Sequence, residues 1–170
     1  MKQKNRILLL AIALVMILTA CGNSSLTTFQ YNMNEFLKDI TKVDNQMNKI
    51  DPDSEDAVSE MLECMNAMNK TFEELANIKV PTEFLSIETL ADEASEYMDM
   101  ALDNYSEAFS NPASYDASKG KLASEYLKRA LKRKEYIAII LQGDVPEGEG
   151  VVITYDSLDE ESTTDELINF

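Results

Sequence analysis

From Phe29 onward the apolar residues Phe29, Met33, Phe36, Ile40, Val43, Met47 and Ile50 recur in alternating steps of four and three without a miss. Such a pattern averages close to the 3.6-residue turn of an α-helix and is incompatible with the two-residue repeat of a strand. It describes a helix with one narrow buried seam. A helix of this length is marginal alone in water, so the rest of the chain must supply surfaces to cover that seam.

The remaining sequence offers three more helices. Asp51-Pro52-Asp53-Ser54 ends the first stripe, because Pro52 disfavours helix at the residue before it and Asp53 or Ser54 can cap a following helix. The second stripe runs through Val58, Met61, Met65, Met68, Phe72 and Leu75, broadened by Leu62 and Ala76, to Val80-Pro81, where Pro81 suits the first turn of a third helix. In the third, Phe84, Ile87, Ala91, Ala94, Met98, Ala101, Tyr105 and Ala108 face one way, and their small residues allow close helix approach. After the turn Asn111-Pro112-Ala113-Ser114, a fourth stripe passes through Leu122, Ala123, Tyr126, Leu127, Ala130, Leu131, Ile137, Ile140 and Leu141 to Gly143, which stands where a C-terminal cap belongs. Four helices of about 24 to 30 residues with links of roughly three to five point to antiparallel neighbours. The expected fold is all-α, an up-down-up-down four-helix bundle over residues 27–142. A long three-helix arrangement, with the first helix bent away, is the alternative.

Beyond Gly143 the composition changes. Residues 144–170 hold nine acidic residues and no Lys or Arg, with Pro146, Gly148 and Gly150 near the start. Residues 143–170 therefore read as an acidic, largely irregular tail. Within it Val151, Val152, Ile153 and Tyr155 have strong β character but no internal strand to pair with, so this run is expected to order on a partner's exposed sheet edge. Thr163 and Glu166 fit a capping box for one last short helical turn.

At the other end, Lys2, Lys4 and Arg6 precede an apolar run over residues 7–18, too short to cross a bilayer and suited to the core of a secretory signal peptide. Leu18-Thr19-Ala20-Cys21 follows. This arrangement resembles the bacterial lipobox, in which an aliphatic residue and two small residues precede a cysteine that is lipidated and becomes the mature N-terminus. The resemblance covers residues 1–21. It implies a signal peptide over residues 1–20, a palmitate-type acyl anchor on Cys21, a tether over 21–26 and a place on the extracytoplasmic face of the cell membrane. The chain as a whole looks like a small helical lipoprotein. Gly22 after the cysteine lacks the Asp that resembles an inner-membrane retention signal.

Charge narrows the partners. All 31 acidic residues lie beyond residue 21 and three of the 15 basic ones before it, so removal of the signal takes the net charge from −16 to −19. Nucleic acid is excluded as a partner, since phosphate neutralisation needs an excess of cations. The chain has no histidine, which removes the commonest general base and transition-metal ligand together. With Cys21 consumed by lipid, Cys64 has no intrachain partner and reads as a small packed hydrophobe.

Two charged constellations stand out. Glu88, Asp92, Glu96, Asp99, Asp103 and Glu107 share one face of the third helix, opposite its apolar band, and could serve as a docking strip for a basic protein. A single straight helix cannot wrap these carboxylates around a cation. The fourth helix carries Lys119, Lys121, Lys128, Arg129, Lys132, Arg133 and Lys134. They complement the third helix, and if this helix returns toward a membrane anchor, Lys128, Arg129, Lys132 and Arg133 could meet anionic headgroups.

Other motifs lead nowhere. Met61, Met65 and Met68 with Cys64 invite a copper reading, but they occupy the core seam. Asp51, Asp53 and Glu55 imitate the start of an EF-hand loop, but Asp56 stands in place of its glycine and Leu62 in place of its bidentate glutamate. No metal or cofactor site and no catalytic residue is assigned. The expectation is a non-enzymatic, lipid-anchored interaction or envelope-accessory module that binds a protein or an envelope polymer. A bundle whose interior, among Met61, Met65, Tyr97, Tyr105 and Tyr126, holds a small apolar ligand or metal is the alternative. The oligomeric state is not legible.

Overall fold

The computed structural model describes residues 24–111 and 114–148. It is all-helical: α1 (Ser24–Met47), α2 (Ala57–Ala76), α3 (Leu85–Ala108), introduced by a 3-10 turn (Thr82–Phe84), and α4 (Ala117–Leu141). The four helices pack on one another around a single apolar cluster. Consecutive helices make the main contacts, and α3 and α4 approach each other most extensively.

The α1 seam is buried as its spacing requires, at Phe29, Met33, Phe36, Ile40 and Val43. Met65, Met68, Phe72 and Leu75 of α2 meet it, with Phe36 and Phe72 in an edge-on contact of 5.6 Å between ring centroids. α3 buries Ile87, Ala91, Ala94, Met98, Ala101 and Ala108, and α4 buries Gly120, Ala123, Ala130, Tyr136 and Ile137. Two residues of the expected stripes are more open: Val58 is 40% exposed and Leu122 38%. Both lie near the start of their helices. Tyr136, absent from the expected stripe, is buried.

The connections are longer than the apolar stripes suggest. Between α1 and α2 the chain makes successive turns. The Asp51 carboxylate accepts from the Asp53 amide at 3.1 Å, the Ser54 amide reaches the Asp51 carbonyl at 3.0 Å, and the Ser54 hydroxyl accepts from the Asp56 amide at 3.2 Å. These local bonds satisfy the backbone without a helix, so α2 begins only at Ala57. Pro81, buried and extended, stands ahead of the 3-10 turn, one turn earlier than expected.

α4 is closed at both ends. The Asp116 carboxylate accepts from the amides of Ser118 at 2.9 Å and Lys119 at 3.1 Å, using two of the orphan donors of the first turn. At the other end Gly143 takes φ +83°, its amide donating to the Ile140 carbonyl at 2.9 Å and that of Asp144 to Ile139 at 3.2 Å. This is the glycine-closed helix end that the sequence implies.

The segment after Gly143 stays with the bundle through residue 148. Pro146 is buried, and a Cβ on Gly148, whose φ is +142°, would come within 2.5 Å of the Tyr136 hydroxyl. The first residues assigned to the tail thus pack on α4. Gly120 has a similar role near the other end of α4, where the Tyr115 ring lies across the space a side chain would fill.

Candidate functional site

All six carboxylates of the α3 series, Glu88, Asp92, Glu96, Asp99, Asp103 and Glu107, are exposed. They do not form one uniform strip. Glu107, at the end of α3, is ion-paired to Lys119 near the start of α4. Asp92, Glu96 and Asp99 line an open groove of about 350 Å³ between α2 and α3, together with Ser95, Ala76 and Glu73 of α2. Glu88 and Asp103 lie beyond its two ends along α3.

The groove has an anchor that sequence reading missed. Asn69 of α2 is buried, and its Nδ2 donates to Glu73 Oε1 at 3.2 Å and to Asp99 Oδ1 at 3.3 Å. One amide thereby links carboxylates of the two helices that line the groove. Its Oδ1 is buried without a hydrogen-bond partner among the described residues, a cost that the two donated bonds partly offset. The signal was present in the sequence: Asn69 falls four residues after Met65 and three before Phe72, a polar side chain inside an apolar sector.

Chemically, this arrangement attracts positive charge. Four carboxylates in an open groove stay hydrated and exchange water for an ammonium or guanidinium group at little desolvation cost. Among the described residues no three acidic or thiol groups are placed to hold a metal ion.

The basic cluster of α4 is largely engaged within the molecule. Arg133, with its side chain only 11% exposed, pairs with Glu93 of α3 and lies 5.7 Å from the Tyr97 ring and 5.8 Å from that of Tyr136. Arg129 sits over Tyr97 and Tyr126, which stack with centroids 6.3 Å apart. Lys132 bonds Glu135 at 2.9 Å and lies 5.0 Å from the Tyr136 ring, and the Glu135 bond raises its pKa. Lys119 is likewise raised by its bond to Glu107. Lys128 is exposed. Lys134 is half-buried, and burial lowers its pKa while Asp44 of α1 partly opposes the shift.

Cys64 is half-buried on α2 beside a surface groove of about 520 Å³ shared with Gln46, Lys49, Ile50, Glu60, Glu63 and Ala67. Burial, then Glu63 and Glu60, push its thiol pKa up, which disfavours the nucleophilic thiolate. A third groove, about 290 Å³, lies between α1 and α2 beneath exposed Tyr31, with Asn32, Asp39 and Glu74 on its rim. None of these three grooves is lined by Met61, Met65, Tyr97, Tyr105 or Tyr126, the residues of the interior-ligand alternative.

Cys21, Val151, Val152, Ile153 and Tyr155, like Thr163 and Glu166, lie outside the described residues. No described helix is long and apolar enough to cross a membrane. Searches among family models, curated proteins and solved structures return no match to this chain.

Proposed function

We propose that this chain is a lipid-anchored, extracytoplasmic, non-enzymatic interaction module: an up-down-up-down bundle held at the membrane through Cys21 that offers a carboxylate-lined groove to a basic partner protein. The acidic tail, through Val151, Val152, Ile153 and Tyr155, adds a second contact to the same partner. The up-down course of the bundle is supported at α3 and α4 by the ion pairs Glu93–Arg133 and Glu107–Lys119, in which the later residue of α3 meets the earlier residue of α4.

The observation that carries the reading is the contrast between the groove and the rest of the charged surface. Lys119, Arg129, Lys132 and Arg133 of α4 are engaged by Glu107, Glu135, Glu93 and the tyrosines, whereas Glu88, Asp92, Glu96 and Asp103 make no hydrogen bond or ion pair to another side chain among the described residues. A fold that engages most cations of one helix internally and leaves the adjoining groove charged has a surface suited to steering a cationic partner.

The test is photocrosslinking in living cells from Ser95, inside the groove, with Lys42 on α1 as the control site. A discrete adduct from Ser95 alone, lost on Asp92→Lys with Glu96→Lys while helicity is retained, supports the reading. Equal adducts from both sites, or an adduct indifferent to the charge reversal, overturns it.

A further inference from the structure

The helices bring three separate parts of the chain to one end of the molecule. The Glu93–Arg133 pair lies eight residues from the start of α3 and eight from the end of α4, which sets Leu85 level with Leu141. Phe29, in the second turn of α1, stacks on Phe84 with ring centroids 5.5 Å apart. The beginning of α1, the beginning of α3 and the chain leaving α4 therefore share this end.

This end carries the two most exposed large aliphatic side chains among the described residues, Leu85 at 55% and Val145 at 61%. Half-buried Leu26, Phe84 and Leu141, near the same helix ends, pack against the core. Singly exposed apolar residues are ordinary on protein surfaces. Here their position gives them meaning. Cys21 precedes Ser24 by three residues, at most about 11 Å of extended chain, and Ser24 is about 7.5 Å along the helix from Phe29. A lipidated Cys21 thus keeps this end within roughly 20 Å of the headgroups, the sum of those two reaches.

We infer that the end bearing Leu85 and Val145 is seated on the bilayer, with these two side chains in the interfacial layer and the helices standing away from the membrane. The inference rests on the lipid anchor proposed above. The lipid it suits is uncharged. Glu83, Glu88, Asp144 and Glu147 are exposed around this end against Lys79, so an anionic leaflet repels it. The α4 cations do not reverse this: Lys128, Arg129, Lys132, Arg133 and half-buried Lys134 lie about 10 to 20 Å back along the helix from Leu141, at or beyond a Debye length of about 8 to 10 Å. An upright posture leaves the α2–α3 groove and the opposite end, with Tyr115, open to partners.

The experiment uses the full chain, acylated in cells, carrying Cys64→Ser and one fluorophore at a time on Leu85→Cys, Val145→Cys, Tyr115→Cys or Lys128→Cys. The proteins are placed in phosphatidylcholine vesicles containing a headgroup nitroxide, with and without phosphatidylglycerol. Labels at 85 and 145 should be quenched at least twofold more than those at 115 and 128, and phosphatidylglycerol should reduce the difference. Equal quenching at 115 means a bundle lying on its side and overturns the inference. So does strongest quenching at 128 in phosphatidylglycerol, which assigns the contact to the basic face. Fatty-acid labelling on the same samples separates the two ideas. An unlabelled protein ends the anchor reading and this one with it, whereas a labelled protein with uniform quenching ends this one alone.

Discussion

The α1–α2 pair and the α3–α4 pair reach burial by opposite means. α1 and α2 interdigitate large side chains, Phe29, Met33, Phe36 and Ile40 against Met65, Met68, Phe72 and Leu75. α3 and α4 instead intersperse Ile87, Met98, Tyr136 and Ile137 with the small residues Ala91, Ala94, Ala101 and Ala108 on one side and Gly120, Ala123 and Ala130 on the other, and add ion pairs and cation–π contacts along the rim. Large residues fill space between separated helices, while small ones let backbones close in and place rim side chains within reach of each other. The polar clasp of Arg133, Glu93, Tyr97 and Tyr136 is thus a consequence of the alanines beneath it. The charged groove lies between the two pairs, on α2 and α3, where the buried Asn69 amide reaches a carboxylate on each helix.

That contrast predicts opposite sensitivities to volume. Phe72→Ala should be the most damaging change, costing about 3–5 kcal/mol because the neighbours cannot collapse into the space. Urea unfolding of the helical signal measures it, and a loss under 1 kcal/mol would mean that α1 and α2 are not held by interdigitation. The reverse change on the other pair, Ala94→Leu, should cost about 1–3 kcal/mol by forcing α3 and α4 apart. It should also weaken the rim, so that adding Arg133→Met costs less in the Ala94→Leu background than in the parent. Independent, additive losses would uncouple the clasp from the close approach.

Truncation sharpens the boundary of the α3–α4 pair. Removing residues 149–170 should leave the melting temperature nearly unchanged. Removing 144–170 should cost about 1–2 kcal/mol, since it strips Pro146 and Gly148 from the region of Tyr136 and exposes part of a buried aromatic ring. Equal melting of the two truncated forms would return the boundary to residue 143, where composition alone puts it.

The smallest effect concerns Lys134. Burial holds its pKa below the ordinary lysine value, so at neutral pH the folded state carries a charge that its surroundings disfavour. As pH rises through the lowered pKa toward 10.5, the folded state releases the proton before the unfolded one, and the parent gains stability over that window. Lys134→Met should therefore raise the melting temperature by roughly 1–3 °C at pH 7, and its advantage should shrink by pH 10. A difference that stays constant between those values would show that the substitution acts through apolar packing alone.

Much of the architecture was legible in the residues because it is local. The step of four and three from Phe29 to Val43 specifies a helix and its buried face without reference to any neighbour, and Gly143 marks its helix end because few other residues accept a positive φ. The acidic and basic faces of α3 and α4 follow from the same periodicity. Tertiary structure decided what those faces meet. Periodicity cannot tell that Arg133 lies between Tyr97 and Tyr136, that Tyr136 is covered by a chain segment that looks like tail, or that only three of six α3 carboxylates enter a groove. Nor can it distinguish Asn69, a polar residue in an apolar sector, from a misplaced one, because its partners are Glu73 on its own helix and Asp99 thirty residues away. Helix formation depends on neighbours three and four residues apart, which the sequence displays directly. The groove depends on distances between helices, which arise only when large side chains hold one pair apart and alanines draw the other together.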